Sequence, residues 1–152
     1  MPTLMQTATT TKNRITVYKP VMKNTVLLPL YLTPICAGFP SPADDYIDEK
    51  LDLNKHLIKN APATFCVRVE GNSMIEAGIH SGDILIVDRS LTAKSNDVVI
   101  ACVEGELAVK RLIKKRHKVL LVAENADYAP IELTENDELV IWGVATNVIH
   151  SL

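Results

Sequence analysis

The stretch that decides the fold is residues 98–113, which read Val-Val-Ile-Ala-Cys-Val-Glu-Gly-Glu-Leu-Ala-Val-Lys-Arg-Leu-Ile. Two runs rich in aliphatic residues, 98–103 and 107–113, flank the turn Glu104-Gly105-Glu106. Such runs joined by a short turn that contains glycine pair as an antiparallel hairpin. The stretch therefore predicts two neighbouring β-strands.

Similar short runs occur on both sides of this hairpin. Turn residues separate them, and no long helical pattern lies between them, which argues against a parallel α/β fold. The sequence predicts a mainly β, antiparallel domain, with further strands over residues 65–69, 84–87, 119–122 and 139–144.

Two short helices are predicted ahead of these strands. Ser41 is a suitable N-cap, Pro42 fits the first helical position, and acidic residues follow in the first turn. We expect one helix from there to about Lys50, and a second over residues 52–58.

Residues 1–37 have a different character. They combine a polar, threonine-rich stretch with Pro20, Pro29 and Pro34, and proline is excluded from the interior of a helix. We expect an extended or disordered arm that does not house a helix-turn-helix.

Composition and charge agree with this division. A chain of 152 residues with 47% hydrophobic and 22% charged residues is a globular domain with or without a tail. Its net charge of −2 excludes a uniformly basic nucleic-acid binder and a strongly acidic disordered chain. Residues 1–37 hold 4 basic and no acidic side chains (+4), and residues 38–152 hold 12 basic and 18 acidic ones (−6). We therefore predict a removable arm, 1–37, and a β-rich domain, 38–152.

Cysteine and histidine usage bears on compartment and cofactors. The 3 cysteines form no C-x-x-C motif, and the 4 histidines show no metal-ligand spacing, which predicts a reducing cytoplasm and no metal or cofactor.

No apolar run approaches the ~20 residues of a membrane span. A signal peptide over residues 26–32 is a weaker alternative, because Pro29 interrupts a run of minimal length.

Lys110 is unusual within its predicted strand, because it shares a face with Ala108 and Leu112. A lysine that snorkels at a sheet edge is one interpretation. Burial without a carboxylate is the other, and desolvation would then lower its pKa from about 10.4.

A second unusual feature is Gly71-Asn72-Ser73-Met74, which follows a strand. Glycine permits a sharp turn that presents Ser73 beside unpaired backbone N–H groups. By itself this is typical of a helix cap. None of the histidines sits in a comparable setting, so a neutral lysine is the remaining base for a Ser-Lys dyad.

Several ordered segments resemble the UmuD family of self-cleaving accessory subunits of SOS-induced translesion DNA polymerase V. The chain also resembles, more distantly, the catalytic domain of LexA-type repressors and signal peptidases. The resemblance runs from about Cys36 to the C-terminus and excludes the first 30 or so residues; its segments are 36–46, 71–74, 81–88 and 105–112.

The resemblance implies a LexA/signal-peptidase-like β-rich domain in which Ser73 is the nucleophile and Lys110 the general base. Backbone N–H groups around Asn72 and Ser73 would bind the oxyanion. The bond that is cut would be Ala37-Gly38. The UmuD pattern usually has Cys directly before this glycine, whereas the LexA branch cuts Ala-Gly, so the departure preserves cleavage.

The resemblance also implies partners. They are a second copy in a homodimer, a RecA filament on single-stranded DNA that prompts cleavage, and a UmuC-type polymerase. Cleavage within one chain or across the dimer is left open, as is the role of residues 1 to about 13.

Two alternatives belong to other classes. A LexA-like repressor fragment would need a helical reader domain before the cleavage bond, and the proline-broken arm lacks one. A non-catalytic interaction module is disfavoured because Ser73 and Lys110 are both present.

The basic residues 114–118 are better explained as a solvated hairpin tip than as a direct DNA contact.

Overall fold

The computed structural model describes residues 16–21, 23–31, 37–38 and 47–152. These residues form two compact units. The larger contains strand β1 (Thr16–Tyr18) together with residues 60–152, and the smaller lies within residues 21–59.

The larger unit is built on one eight-stranded sheet in which all neighbours are antiparallel. The strand order is β1-β4-β5-β10-β6-β7-β8-β9. The bounds are β4 Thr64–Arg68, β5 Ile84–Asp88, β6 Val98–Val103, β7 Glu106–Lys115, β8 Lys118–Val122, β9 Ile131–Leu133 and β10 Leu139–Ile149. The predicted β-rich antiparallel fold is confirmed, including the hairpin β6–β7.

The smaller unit contains strands β2 (Leu27–Tyr31) and β3 (Ile47–Asp52), which pair antiparallel, followed by helix α1 (Leu53–Leu57). The Asp52 carboxylate caps α1 by accepting hydrogen bonds from the N–H groups of Asn54 (3.0 Å) and Lys55 (3.3 Å). The second predicted helix is thereby confirmed.

The first predicted helix is wrong where the structure describes it. Residues 47–50 are strand, and Leu51 stands opposite Leu28 in β2. A few favourable residues at a helix start are a weak local signal, and pairing with an apolar strand elsewhere in the chain outweighs them. Residues 41–46 of that prediction lie outside the described residues.

The core of the larger unit lies on both faces of the sheet. Successive residues of β6 divide between two apolar clusters, with Ile100 in one and Val99 and Ala101 in the other. This division follows from the two-residue period of a strand. The first cluster also holds Met74 and Val109, which directly adjoin the predicted site residues Ser73 and Lys110.

Strand β10 crosses the middle of the sheet and is bulged at Trp142, where the register with β6 shifts between Ile141 and Gly143. A Cβ at Gly143 would lie 2.7 Å from Val87 Cγ1, so only glycine fits this close approach. Trp142 packs, partly buried, against the first cluster.

The structure describes part of residues 1–37 and all of the basic hairpin tip, residues 114–118. The described parts of residues 1–37 include β1 and β2, both extended. The side chains of residues 114–118 at the β7–β8 tip are exposed, as expected of a solvated turn. No helix among the described residues is long and apolar enough to cross a membrane. The division at residues 37 and 38 stays a prediction.

Candidate active site

Lys110 lies in the middle of β7 opposite Val99, and only 8% of it is exposed. The buried alternative is therefore correct, and the snorkelling alternative is not. Desolvation lowers the pKa of Lys110 below its ordinary value. Among the described residues, no ion pair includes Lys110. A buried amine without a carboxylate partner gives up its proton more readily than an exposed lysine.

One aromatic ring faces this amine. The Lys110 Nζ lies 5.4 Å from the centroid of the Tyr128 ring, a cation–π distance. The ring favours the charged amine, whereas burial favours the neutral one, and the net direction of the pKa shift is downward. Tyr128 is half exposed, so its attraction is the weaker of the two effects.

Ser73 lies in the turn between β4 and a short 3-10 helix, Ile75–Ala77. Gly71 has a φ of +94°, in the region that favours glycine, and this conformation reverses the chain before Asn72. Met74 is 1% exposed and anchors the turn in the core, while Ser73 itself stays half-buried. Within the described part of the chain, the N–H groups of Asn72 and Ser73 donate to no recorded partner. This turn can present a hydroxyl and two donors to the same carbonyl.

Residues 124–125 support the serine turn by two contacts. The Glu76 N–H donates to the Glu124 carbonyl at 2.9 Å, and the Asn125 side-chain amide donates to the Asn72 carbonyl at 2.8 Å. The Glu124 carboxylate in turn accepts a hydrogen bond from Arg111, the neighbour of Lys110 in β7. The segment thus ties the serine turn to the strand that carries the lysine.

The predicted site residues are related through this segment. No hydrogen bond among the described residues joins Ser73 to Lys110 directly, but the turn of one contacts Asn125 and the amine of the other faces Tyr128. These supporting residues were not predicted from the sequence. Asn125 and Asn72 are 53 positions apart, and no local sequence pattern predicts a contact between them.

A groove of about 400 Å³ opens beside Lys110. Its walls combine apolar residues with an acidic rim; they include Ala108, Leu121, Ile131 and Leu133, and Glu104, Glu106, Glu132 and Asp137. A peptide segment with apolar and basic residues would complement such a surface.

The predicted scissile residues belong to the smaller unit. Ala37 and Gly38 lie in an exposed bend, and an added Cβ at Gly38 would meet no atom within 4 Å. The bond between them is accessible to a reacting group.

Comparison with known proteins adds a family to this geometry. The model of the Peptidase S24-like family matches residues 29–146, a range that contains Ser73, Lys110 and the Ala37-Gly38 bond. The chain belongs to this family. Since it is a family of serine peptidases, membership is consistent with the exposed serine turn and the buried lysine.

Individual S24-like relatives are similar over most of the chain. Protein MucA of Salmonella typhimurium is 43% identical over 126 residues, which are 82% of this chain and 84% of MucA. Protein SamA of S. typhimurium strain LT2 is 44% identical over 122 residues, 80% of this chain and 84% of SamA. The LexA repressor of Shewanella denitrificans is 40% identical over 125 residues, 82% of this chain but 60% of the repressor. MucA and SamA are UmuD-like SOS proteins, so the resemblance seen in the sequence is confirmed.

Proposed function

We propose that this S24-like chain is an SOS-response peptidase that cuts its own Ala37-Gly38 bond, with Ser73 as nucleophile and Lys110 as general base. The observation that carries the proposal is the burial of Lys110, 8% exposed and without an ion-pair partner among the described residues. Burying a lone ammonium is costly, and a neutral amine is the form that a serine needs as its base.

The reaction proceeds in two stages. Neutral Lys110 takes the hydroxyl proton of Ser73, and Ser73 Oγ attacks the carbonyl carbon of Ala37. The N–H groups of Asn72 and Ser73 donate to the oxyanion. Lys110 passes its proton to the nitrogen of Gly38 as the C–N bond breaks. Lys110 then takes a proton from water, whose oxygen attacks the acyl carbon, and returns that proton to Ser73 Oγ as the ester bond breaks.

Charge favours the arm as the substrate. The groove beside Lys110 has an acidic rim, and residues 1–37 carry +4. Cleavage separates these residues from a body of −6, so the net charge changes from −2 to −6. A change of this size alters which partners the surface attracts.

The processed chain, residues 38–152, then acts in the cytoplasm as a homodimer and as the accessory subunit of an error-prone, UmuC-type translesion polymerase. A RecA filament on single-stranded DNA stimulates the cleavage. The similarity to the UmuD-like proteins MucA and SamA over most of their lengths supports this part of the proposal.

Intact-mass spectrometry tests the cleavage. Purified protein is incubated between pH 7 and pH 10, and we expect a fragment that begins at Gly38 to form faster as the pH rises, because more Lys110 is neutral. Ser73→Ala and Lys110→Ala should stop its formation. A RecA filament added at pH 7 should accelerate it.

Two matched controls change the same residue types at exposed positions. Ser151→Ala and Lys115→Ala should cleave like the wild type. Mixing wild type with a tagged Ser73→Ala chain distinguishes cleavage between chains from cleavage within one. Undiminished cleavage in either dyad variant, or a fragment starting elsewhere, would refute the assignment.

A further inference from the structure

Three side chains meet at one end of the sheet, outside the candidate active site. Asp83 precedes β5, His80 lies in the turn before it, and His150 directly follows β10. The His150 Nδ1 is 2.7 Å from Asp83 Oδ1, and the His80 Nδ1 is 3.7 Å from Asp83 Oδ2. The two imidazole rings lie 4.6 Å apart between centroids. One ligand atom from each side chain falls within 4.8 Å of the others.

The carboxylate at the centre is held in place. Asp83 is 5% exposed, and its Oδ2 accepts a hydrogen bond from the His80 N–H at 2.7 Å. Its other oxygen, Oδ1, lies 2.7 Å from the His150 Nδ1. The carboxylate is thus already placed between the two histidines.

One nitrogen in the cluster is unsatisfied. The Nδ1 of His80 is buried and has no hydrogen-bond partner within the part of the chain that the structure describes, although the side chain as a whole is 44% exposed. A buried polar atom without a partner is costly, and it points to a missing ligand. The 3.7 Å between this nitrogen and the carboxylate is close to the ~3.4 Å that separates two ligand atoms on a tetrahedral ion with bonds of about 2.1 Å.

We propose that His80, Asp83 and His150 form a binding site for a divalent transition-metal ion such as Zn²⁺. Two imidazole nitrogens and one carboxylate are a ligand set that zinc accepts, and the exposed sides of both rings leave room for a water as fourth ligand. The ion displaces the proton that Asp83 and His150 share and fills the unsatisfied position of His80.

The site lies at the base of the serine turn. The Val69 N–H donates to the Asp83 carbonyl at 2.9 Å, and the Gly71 N–H donates to Ser81 Oγ at 3.1 Å. A bound ion therefore holds the end of β10 against the segment that leads into Asn72 and Ser73. We expect it to stabilise the fold by an amount that rises with the logarithm of 1 + [ion]/Kd.

Cobalt and zinc titrations of the full-length protein test the proposal. We expect one ion per chain, a visible Co²⁺ spectrum without the charge-transfer band of a thiolate ligand, and a rise in Tm with added Zn²⁺. His80→Gln and His150→Gln should each weaken binding by at least about 10- to 100-fold. Loss of a group that only supports a metal ligand already has an effect of this size.

The other two histidines supply matched controls. His56→Gln and His117→Gln change exposed imidazoles that are not members of the cluster and should bind like the wild type. Circular dichroism checks that each variant is folded. Equal affinity in all four variants, binding lost with His56 or His117 instead, a thiolate band, or no binding by the wild type would each overturn the proposal.

Discussion

Lys110 in β7 and Asp83 directly before β5 are two buried charged side chains, and their surroundings are opposite. Asp83 is 5% exposed and contacts two histidines and a backbone N–H. Lys110 is 8% exposed and pairs with no carboxylate among the described residues. A buried charge with partners contributes to structure, whereas one without partners costs stability and persists where its neutral form has a use. This contrast predicts a structural role for Asp83 and a chemical role for Lys110.

The largest expected effect is on cleavage. Lys110→Arg keeps a cation at this position, but the guanidinium stays protonated and cannot act as a base. Self-cleavage at pH 8 should fall by about 10²- to 10⁴-fold, the usual contribution of general base catalysis. Intact mass against time measures the rate. An arginine variant that cleaves at the wild-type rate would show that Lys110 is not the general base.

The partnered charge should matter for stability instead. Asp83→Asn leaves the His80 backbone N–H and the His150 imidazole with a weaker acceptor, and the free energy of unfolding should fall by about 1–3 kcal/mol. Urea denaturation at pH 7 with EDTA measures this loss. The wild-type advantage should be full above the ordinary pKa of aspartate, about 3.9, and should disappear as the pH falls through the lower pKa of folded Asp83.

Asp137 offers a matched control for that measurement. It is half-buried and accepts hydrogen bonds from Thr134, and its pKa is also lowered, through those hydrogen bonds. Asp137→Asn should change the unfolding free energy by no more than about 0.5 kcal/mol, as at other surface positions. A larger loss of unfolding free energy for Asp137→Asn than for Asp83→Asn would mean that burial does not explain the difference between the two carboxylates.

The buried amine of Lys110 should reduce stability. Lys110→Met keeps a long side chain and removes the amine, so Tm at pH 7 should rise by about 2–4 °C for each kcal/mol of desolvation cost removed. The folded pKa of Lys110 lies below the unfolded one, so wild-type stability increases with pH between the two values. The advantage of methionine should therefore shrink in alkaline buffer. A lower Tm for the variant at pH 7 would show that Lys110 stabilises the fold.

The smallest expected effect concerns Tyr128, whose ring faces the Lys110 amine at 5.4 Å. Tyr128→Leu removes an attraction of about 0.5–1 kcal/mol for the charged form. The pH profile of cleavage should shift to lower pH, whereas Tyr128→Phe keeps the ring and should leave the profile in place. A shift to higher pH with leucine would contradict the cation–π assignment.

Much of the fold was predictable from local patterns. The β6–β7 hairpin follows from two apolar runs around Glu104-Gly105-Glu106, and α1 lies within the helix predicted over residues 52–58. Strand β3 was not predictable in this way, because its pairing with β2 joins residues about 20 positions apart and overrides a local helix signal.

The site was predictable in part. Ser73 stands out by its glycine turn, and Lys110 by the apolar neighbours on its strand face. The supporting residues Asn125 and Tyr128 gave no signal, since their contacts depend on the path of the chain between β8 and β9. The cluster of His80, Asp83 and His150 was missed for the same reason, because spacing rules detect only ligands that lie close together in sequence.

The sequence by itself determined the strand-rich body, the tight turn before Ser73, and the separation of a basic segment from an acidic one. These properties follow from side-chain periodicity, backbone conformation and charge, which act locally or simply sum. Only the tertiary structure decided that Asp83 has two imidazole neighbours and that Lys110 is buried with no ion-pair partner among the described residues. Desolvation and pairing depend on which distant residues the sheet brings together, and local sequence does not contain that information.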